Sequence, residues 1–158
     1  MFDLSRLFQI LCTHRVEFMI VGGVAAALQG APVLTLDVDI LYRVEEANLV
    51  RLKGALEELN AIVRGDARSL PLDEDQLRTK GHQLTSTDAG PLDLLGSIHD
   101  GLRYEDLIES TQALEVVKVS VRVLSLERLI ELKRELGRPK DVAMLPVLEA
   151  TLRERQRR

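Results

Sequence analysis

A chain of 158 residues with 46% hydrophobic and 29% charged side chains can bury one good core, and it is too apolar for extended disorder. Aromatic residues are only 3%, with no Trp, so the core must come from Leu, Val, Ile and Ala, and binding by base stacking on aromatic platforms is disfavoured. The 21 basic side chains against 25 acidic ones leave a net charge of −4, which argues against a general nucleic-acid binder, and the single Cys12 excludes an intrachain disulfide.

Apolar residues at 4, 7, 8 and 11 in "DLSRLFQILCTHR" predict an amphipathic helix, with Cys12 as a small core residue among them. The run "VEFMIV" stops at Gly22 and Gly23 and reads as a buried strand. The alanine-rich "GVAAALQG" predicts a short helix from about Val24 to Gln29, "APVL" a loop and "TLDVDILY" the second strand. Leu49, Leu52, Leu56 and Leu59 at helical spacing predict a surface helix, followed by a polar segment over 65–81 that is mostly loop with room for one short helix. "HQLTST", the turn "DAG" and "PLDLLG" read as two strands. "RYEDLIESTQAL" predicts a helix, and "EVVKVSVRVLS" a strand or bent strand pair. Ser125 caps a helix that Gly137 ends, and Pro139 opens a last helix with Pro146 inside it. The C-terminal "LRERQRR" reads as a frayed, solvated helix end, with nucleic-acid contact the weaker alternative.

Without a signal peptide or an apolar run long enough to span a bilayer, the expected setting is cytoplasmic with no membrane association. His14, His82 and His99 lack the spacing of zinc ligands. The expected organisation is one domain over 1–158, with a core over about 1–124 and a C-terminal helical segment over about 125–158.

Asp37 and Asp39 stand out, because aspartate is depleted from strands and this pair sits among Leu36, Val38, Ile40 and Leu41. At i and i+2 in a strand they share one face, roughly 6.6 Å apart along the backbone, and would repel each other without a cation between them. Asp93 in "PLDLL" also falls in a strand, although a turn aspartate facing solvent explains it as well. Clustered carboxylates suit Mg²⁺ (or Mn²⁺), which is held by a few carboxylates together with substrate phosphates. The Gly22–Gly23 turn ahead of a helix lets backbone amides approach a phosphate.

In this order, a strand, "VGG", a helix, "TLDVDI", a later "LDLL" and the C-terminal "LIELKRELGRPKD" resemble the DNA polymerase β-type nucleotidyltransferase superfamily, and within it the minimal enzymes of the AbiEii toxin-like group. The resemblance covers most of the chain. It implies an α+β fold, with a small mixed sheet carrying the site on one edge, helices packed on one face and the C-terminal helices closing one end. It also implies transfer of a nucleoside monophosphate from an NTP to a hydroxyl of RNA, protein or a small molecule, with pyrophosphate leaving. Gly22 and Gly23 would hold the triphosphate, Asp37 and Asp39 the metals, and Asp93 would complete the site as a ligand or general base.

Two positions depart from that pattern. Gly23 stands where many relatives have serine, and Val33 where small relatives often carry arginine two places before the retained Thr35. Lys133 and Lys140 are candidates for the missing phosphate contact, or are solvated cations at helix ends. Two alternatives remain beside the enzyme: a weakly active or inactive nucleotide-binding component of a toxin–antitoxin pair acting through its partner protein, and an α+β domain whose glycines and aspartates are structural.

Overall fold

The computed structural model describes residues 3–79 and 81–158. Helix α1 (Leu4–Thr13) begins where the Asp3 carboxylate accepts the Arg6 N–H, and its apolar stripe buries Leu7, Phe8, Ile10 and Leu11. Strand β1 (Phe18–Val21) is buried along its whole length and runs directly into α2 (Gly22–Leu28). Next come β2 (Val38–Tyr42), α3 (Glu46–Glu58), β3 (Ile62–Val63) and α4 (Glu74–Arg78). The hairpin of β4 (His82–Thr87) and β5 (Gly90–Leu95) leads to α5 (Tyr104–Leu107) and a 3₁₀ turn, Ile108–Ser110. A second hairpin, β6 (Thr111–Val116) and β7 (Val119–Leu124), precedes α6 (Leu126–Leu136) and α7 (Pro139–Gln156).

The strands form one mixed sheet in the order β3-β4-β5-β2-β1-β7-β6. β2 pairs parallel with β5 and β1 parallel with β7, and the remaining pairs are antiparallel. The α+β class with a mixed sheet and C-terminal helices is therefore as expected. Helix α1 packs on β7 and α3, α2 on β1 and β2, and α6 on α2 and α7. Leu, Ile, Val and Ala dominate the core, as the shortage of aromatics requires, with the Phe8 and Phe18 rings stacked at 6.5 Å. Among the described residues no helix is long and apolar enough to cross a membrane.

Several boundaries differ from the sequence pattern. β2 starts at Val38, so Asp37 precedes the strand, and Leu34 and Leu36 are 94% and 78% exposed. The Thr35 hydroxyl donates to the Asp37 carbonyl at 2.8 Å, forming a turn that ends the extended run before it can pair. Gly22 and Gly23 are the first turn of α2 and not a loop before it. Thr111 to Leu114, expected in a helix, instead belong to β6, where pairing with Val121 to Leu124 overrides local propensity. The 65–81 segment, residue 80 lying outside the described residues, contains α4 as its one short helix. Ile62 and Val63 just before it form a strand too short to be seen in the pattern. The aspartates lie on inner strands, not on a sheet edge. Helix α7 continues through Pro146 to Gln156, and its end is tied down.

The tie is Gln29. Its side chain is buried, its Oε1 accepts from the Leu126 N–H, Gln112 Nε2 and Arg155 Nη1, and its Nε2 donates to the carbonyls of Ala25 and Leu124. One side chain thus joins α2, β6, β7, α6 and the supposedly frayed tail. Gln29→Ala would leave several of these buried groups unpaired, and urea denaturation is expected to show a loss of about 2–4 kcal/mol.

Candidate active site

Register brings the site together. Asp39 sits opposite Val21 on one side and Asp93 on the other, in the centre of the sheet. Because β2 and β5 run parallel, the two carboxylates project from one face of neighbouring strands, whose spacing is about 4.8 Å. They lie close together, and the neighbouring Asp93 carboxyl disfavours ionisation of Asp39. Burial, together with the neighbouring Asp93 and Asp37, pushes the Asp39 carboxyl from its ordinary 3.8 up to about 7, and the Arg64 guanidinium opposes that rise.

Gly22 explains the closeness of helix and carboxylate. Its φ of +69° is one that side chains rarely adopt, and a Cβ there would run into the Asp39 carboxylate. At Gly23 a Cβ would lie 3.1 Å from Thr35 Cβ, a tight contact that the Thr35 turn would have to give way to admit. Val33 packs against the hydrophobic core.

A cleft of about 290 Å³ opens beside the pair, with Gly22 and Asp39 in its wall together with Lys133, Arg138 and Asp141. Helix α6 ends at Leu136, Gly137 takes a left-handed conformation, and α7 starts at Pro139. This tight junction folds Lys133 and Arg138 around Asp141, which is 1% exposed. Its carboxylate accepts from Arg138 Nε at 2.6 Å and from Lys133 Nζ at 3.3 Å. Arg138 beside it, helped by Lys133, holds the Asp141 carboxyl below its usual range despite the burial. Leu95, Ile98 and Leu132 are among the cleft's apolar residues, and His82 and His99 also line it.

The structure thus gathers Gly22, Asp39 and Lys133 on one cleft, with Asp93 touching Asp39. Asp37 is close by at the start of β2, 3.7 Å from Arg64, and Gly23 is one residue behind Gly22. Thr35 spends its hydroxyl proton on the Asp37 carbonyl. Lys140 is exposed in the first turn of α7 and is not among the cleft residues. Sequence reading missed Arg64, whose Nη2 donates to Asp93 at 2.7 Å, and Asp141, which organises the cations of "LKRELGRPKD". A carboxylate so close to a cationic cluster was the available signal for Asp141. Arg64 gave none.

Among the described residues no three Asp, Glu, His or Cys side chains are gathered tightly enough to cage an ion by themselves. Neighbouring carboxyls whose proximity makes ionisation of Asp39 costly nevertheless fit a divalent cation, which would offset their charge and share its remaining coordination with substrate oxygens.

Residues 1–158 match the family described as "Nucleotidyl transferase of unknown function (DUF2204)". No curated protein matches. Among solved structures, the fold is similar to that of a Thermotoga maritima protein described as a nucleotidyltransferase, at 21% identity and a TM-score of 0.60, over 92% of this chain and 93% of that one. It is also similar to the antibiotic-resistance factor ANT(2'')-Ia, at 17% identity and a TM-score of 0.53, over 97% and 90% of the two chains.

The raised Asp39 carboxyl has a consequence for stability. Between about pH 4 and 7 the folded chain holds a proton there that the unfolded chain has released, so this group costs stability increasingly as pH rises through that window. Asp39→Asn is therefore expected to stabilise the metal-free protein by about 1–2 kcal/mol at pH 8, discounted for the group's partial exposure, and by nothing below about pH 4. Thermal melts across this pH range in a chelating buffer check the sign.

Proposed function

We propose that this chain, which belongs to the DUF2204 nucleotidyl transferase family and is a nucleotidyltransferase, moves a nucleoside monophosphate from an NTP to a hydroxyl acceptor with the help of Mg²⁺ or Mn²⁺. One observation carries the reading: Asp39, paired in register with Asp93, lines with Gly22 a cleft that Lys133 and Arg138 also line. Carboxylates and cations in one cleft suit a ligand that is itself a metal-bridged polyphosphate.

In this reading the metal would supply charge neutralisation at the phosphates. Asp37 and Asp39 would be its ligands, with Asp93 completing the site as a further ligand or as the general base. The triphosphate lies against the amides of Gly22 and Gly23, where the open backbone of Gly22 leaves room, and Lys133 and Arg138 face its outer phosphates. Asp93 takes the proton of the acceptor hydroxyl as that oxygen bonds to the α-phosphorus. The bond from the α-phosphorus to the bridging oxygen breaks, and pyrophosphate leaves with both electrons. Asp141 keeps Lys133 and Arg138 on the cleft wall.

The acceptor is a hydroxyl of RNA, protein or a small molecule. The narrower likeness to the AbiEii toxin group, carried by "LIELKRELGRPKD", extends the proposal to a cognate toxin or antitoxin protein as partner, in the cytoplasm, with 1–158 acting as one unit.

The test is transfer of label from α-³²P-labelled NTPs to RNA, protein and small-molecule acceptor pools, with pyrophosphate release followed in parallel. Mg²⁺-dependent transfer that falls at least about 10²-fold in Asp39→Asn and Asp93→Asn is expected. Transfer equally fast in both variants would remove these carboxylates from the reaction.

A further inference from the structure

Arg64 belongs to no part of that assignment, yet it is the one cation held directly on the aspartates among the ion pairs of the described residues. It follows β3 at the far side of the sheet from the lysine and arginine of the cleft, and its own N–H donates to the Leu84 carbonyl at 2.9 Å. From there the side chain crosses β4. Nε and Nη2 both donate to the Thr85 carbonyl, at 3.2 and 2.6 Å, and Nη2 also donates to Asp93 Oδ1 at 2.7 Å. Thr85 is fully buried, with its hydroxyl on the Leu92 carbonyl, so the guanidinium is fastened to a rigid part of the sheet.

The same guanidinium treats the two aspartates unequally. Asp93, with its side chain 13% exposed, is gripped at hydrogen-bond distance, whereas Asp37, 40% exposed, stands off at 3.7 Å. With Oδ1 of Asp93 occupied by Arg64 and its carboxyl in contact with Asp39, Asp93 has little freedom to rotate. Asp37 is held less closely. Partners of this kind, one step behind a metal ligand, fix its orientation and typically matter 10- to 100-fold for metal affinity.

We propose that Arg64 is a positioning residue, which holds Asp93 against Asp39 by a fork anchored on the Thr85 carbonyl and leaves Asp37 as the less closely held member of the set. The inference rests on the reading of the aspartates as metal ligands. It assigns Arg64 no contact with substrate.

Arg64→Lys keeps the positive charge and removes the fork, because an ammonium cannot span two acceptors in a fixed plane as a guanidinium does. Charge neutralisation alone would leave this variant unchanged. Mn²⁺ binding, followed by electron paramagnetic resonance of the free ion, is compared in wild type, Asp39→Asn and Arg64→Lys. The expected result is Asp39-dependent binding in wild type and an affinity about tenfold weaker in Arg64→Lys. Wild-type affinity in Arg64→Lys with a lowered melting temperature would mean a merely structural residue and overturn the inference alone. Wild-type binding indifferent to Asp39→Asn would overturn the metal reading, and this inference with it. A second measurement needs no variant to fold: the Arg64 Nη protons of the wild-type protein should give resolved, slowly rotating NMR signals, and freely averaged signals would contradict the anchored fork.

Discussion

Two carboxyls on neighbouring parallel strands repel each other as soon as both are ionised, and most of the site is arranged around that repulsion. Pairing of β2 with β5 places Asp39 beside Asp93 whether or not the contact is comfortable. The sheet can impose this because the residues flanking Asp39, Val38 and Ile40, are completely buried and fix the register. A shift of β2 by one residue would turn Asp39 toward the other face and drive Val38 and Ile40 out of the interior. The hydrophobic core therefore supplies the energy that holds like charges together. The repulsion is met by a raised Asp39 pKa, which favours a retained proton, and by Arg64 donating to Asp93.

The same constraint accounts for the glycines. α2 starts so close to β2 that only a residue without Cβ fits beside the Asp39 carboxylate, and only a residue tolerant of positive φ can turn the chain there. Gly23 answers to a different neighbour, Thr35, whose hydroxyl shapes the turn that delivers Asp37 to the start of β2. In the same cleft the buried Asp141 carboxylate gathers Lys133 and Arg138, as Asp93 takes Arg64. Gln29 locks these parts to one another, since its amide joins the helix bearing Gly22 to the start of α6, the helix that carries Lys133.

The α+β class, the order of the elements and the aspartates were legible because each had a strong local signal. Alternation and glycine punctuation marked β1, β4 and β5, and aspartate among apolar residues is out of place unless it has work to do. Long-range pairing hid the rest. Nothing local distinguishes Thr111 to Leu114 as a strand until β7 lies beside it, and the two residues of β3 are too few for a periodic pattern. The exposed Leu36 imitated a strand residue because it continues the every-second-position apolar pattern of Val38 and Ile40. Arg64 stayed invisible for a related reason: its partner Asp93 is 29 residues away, and only the crossing of β4 brings them within 2.7 Å. Lys133 was found as a cation near a helix end, but Asp141, which explains its place, reads in sequence as an ordinary first-turn acid.

The central claim is that the touching carboxylates are a cation site for a polyphosphate, and locating the ion tests it most directly. Crystals grown with Mn²⁺ and a non-hydrolysable NTP analogue would show it in an anomalous difference map. The expected peak lies within coordination distance of the Asp39 carboxylate and an analogue phosphate oxygen, with the triphosphate on Gly22 and Gly23. A nucleotide bound elsewhere, or manganese away from Asp39, would contradict the claim.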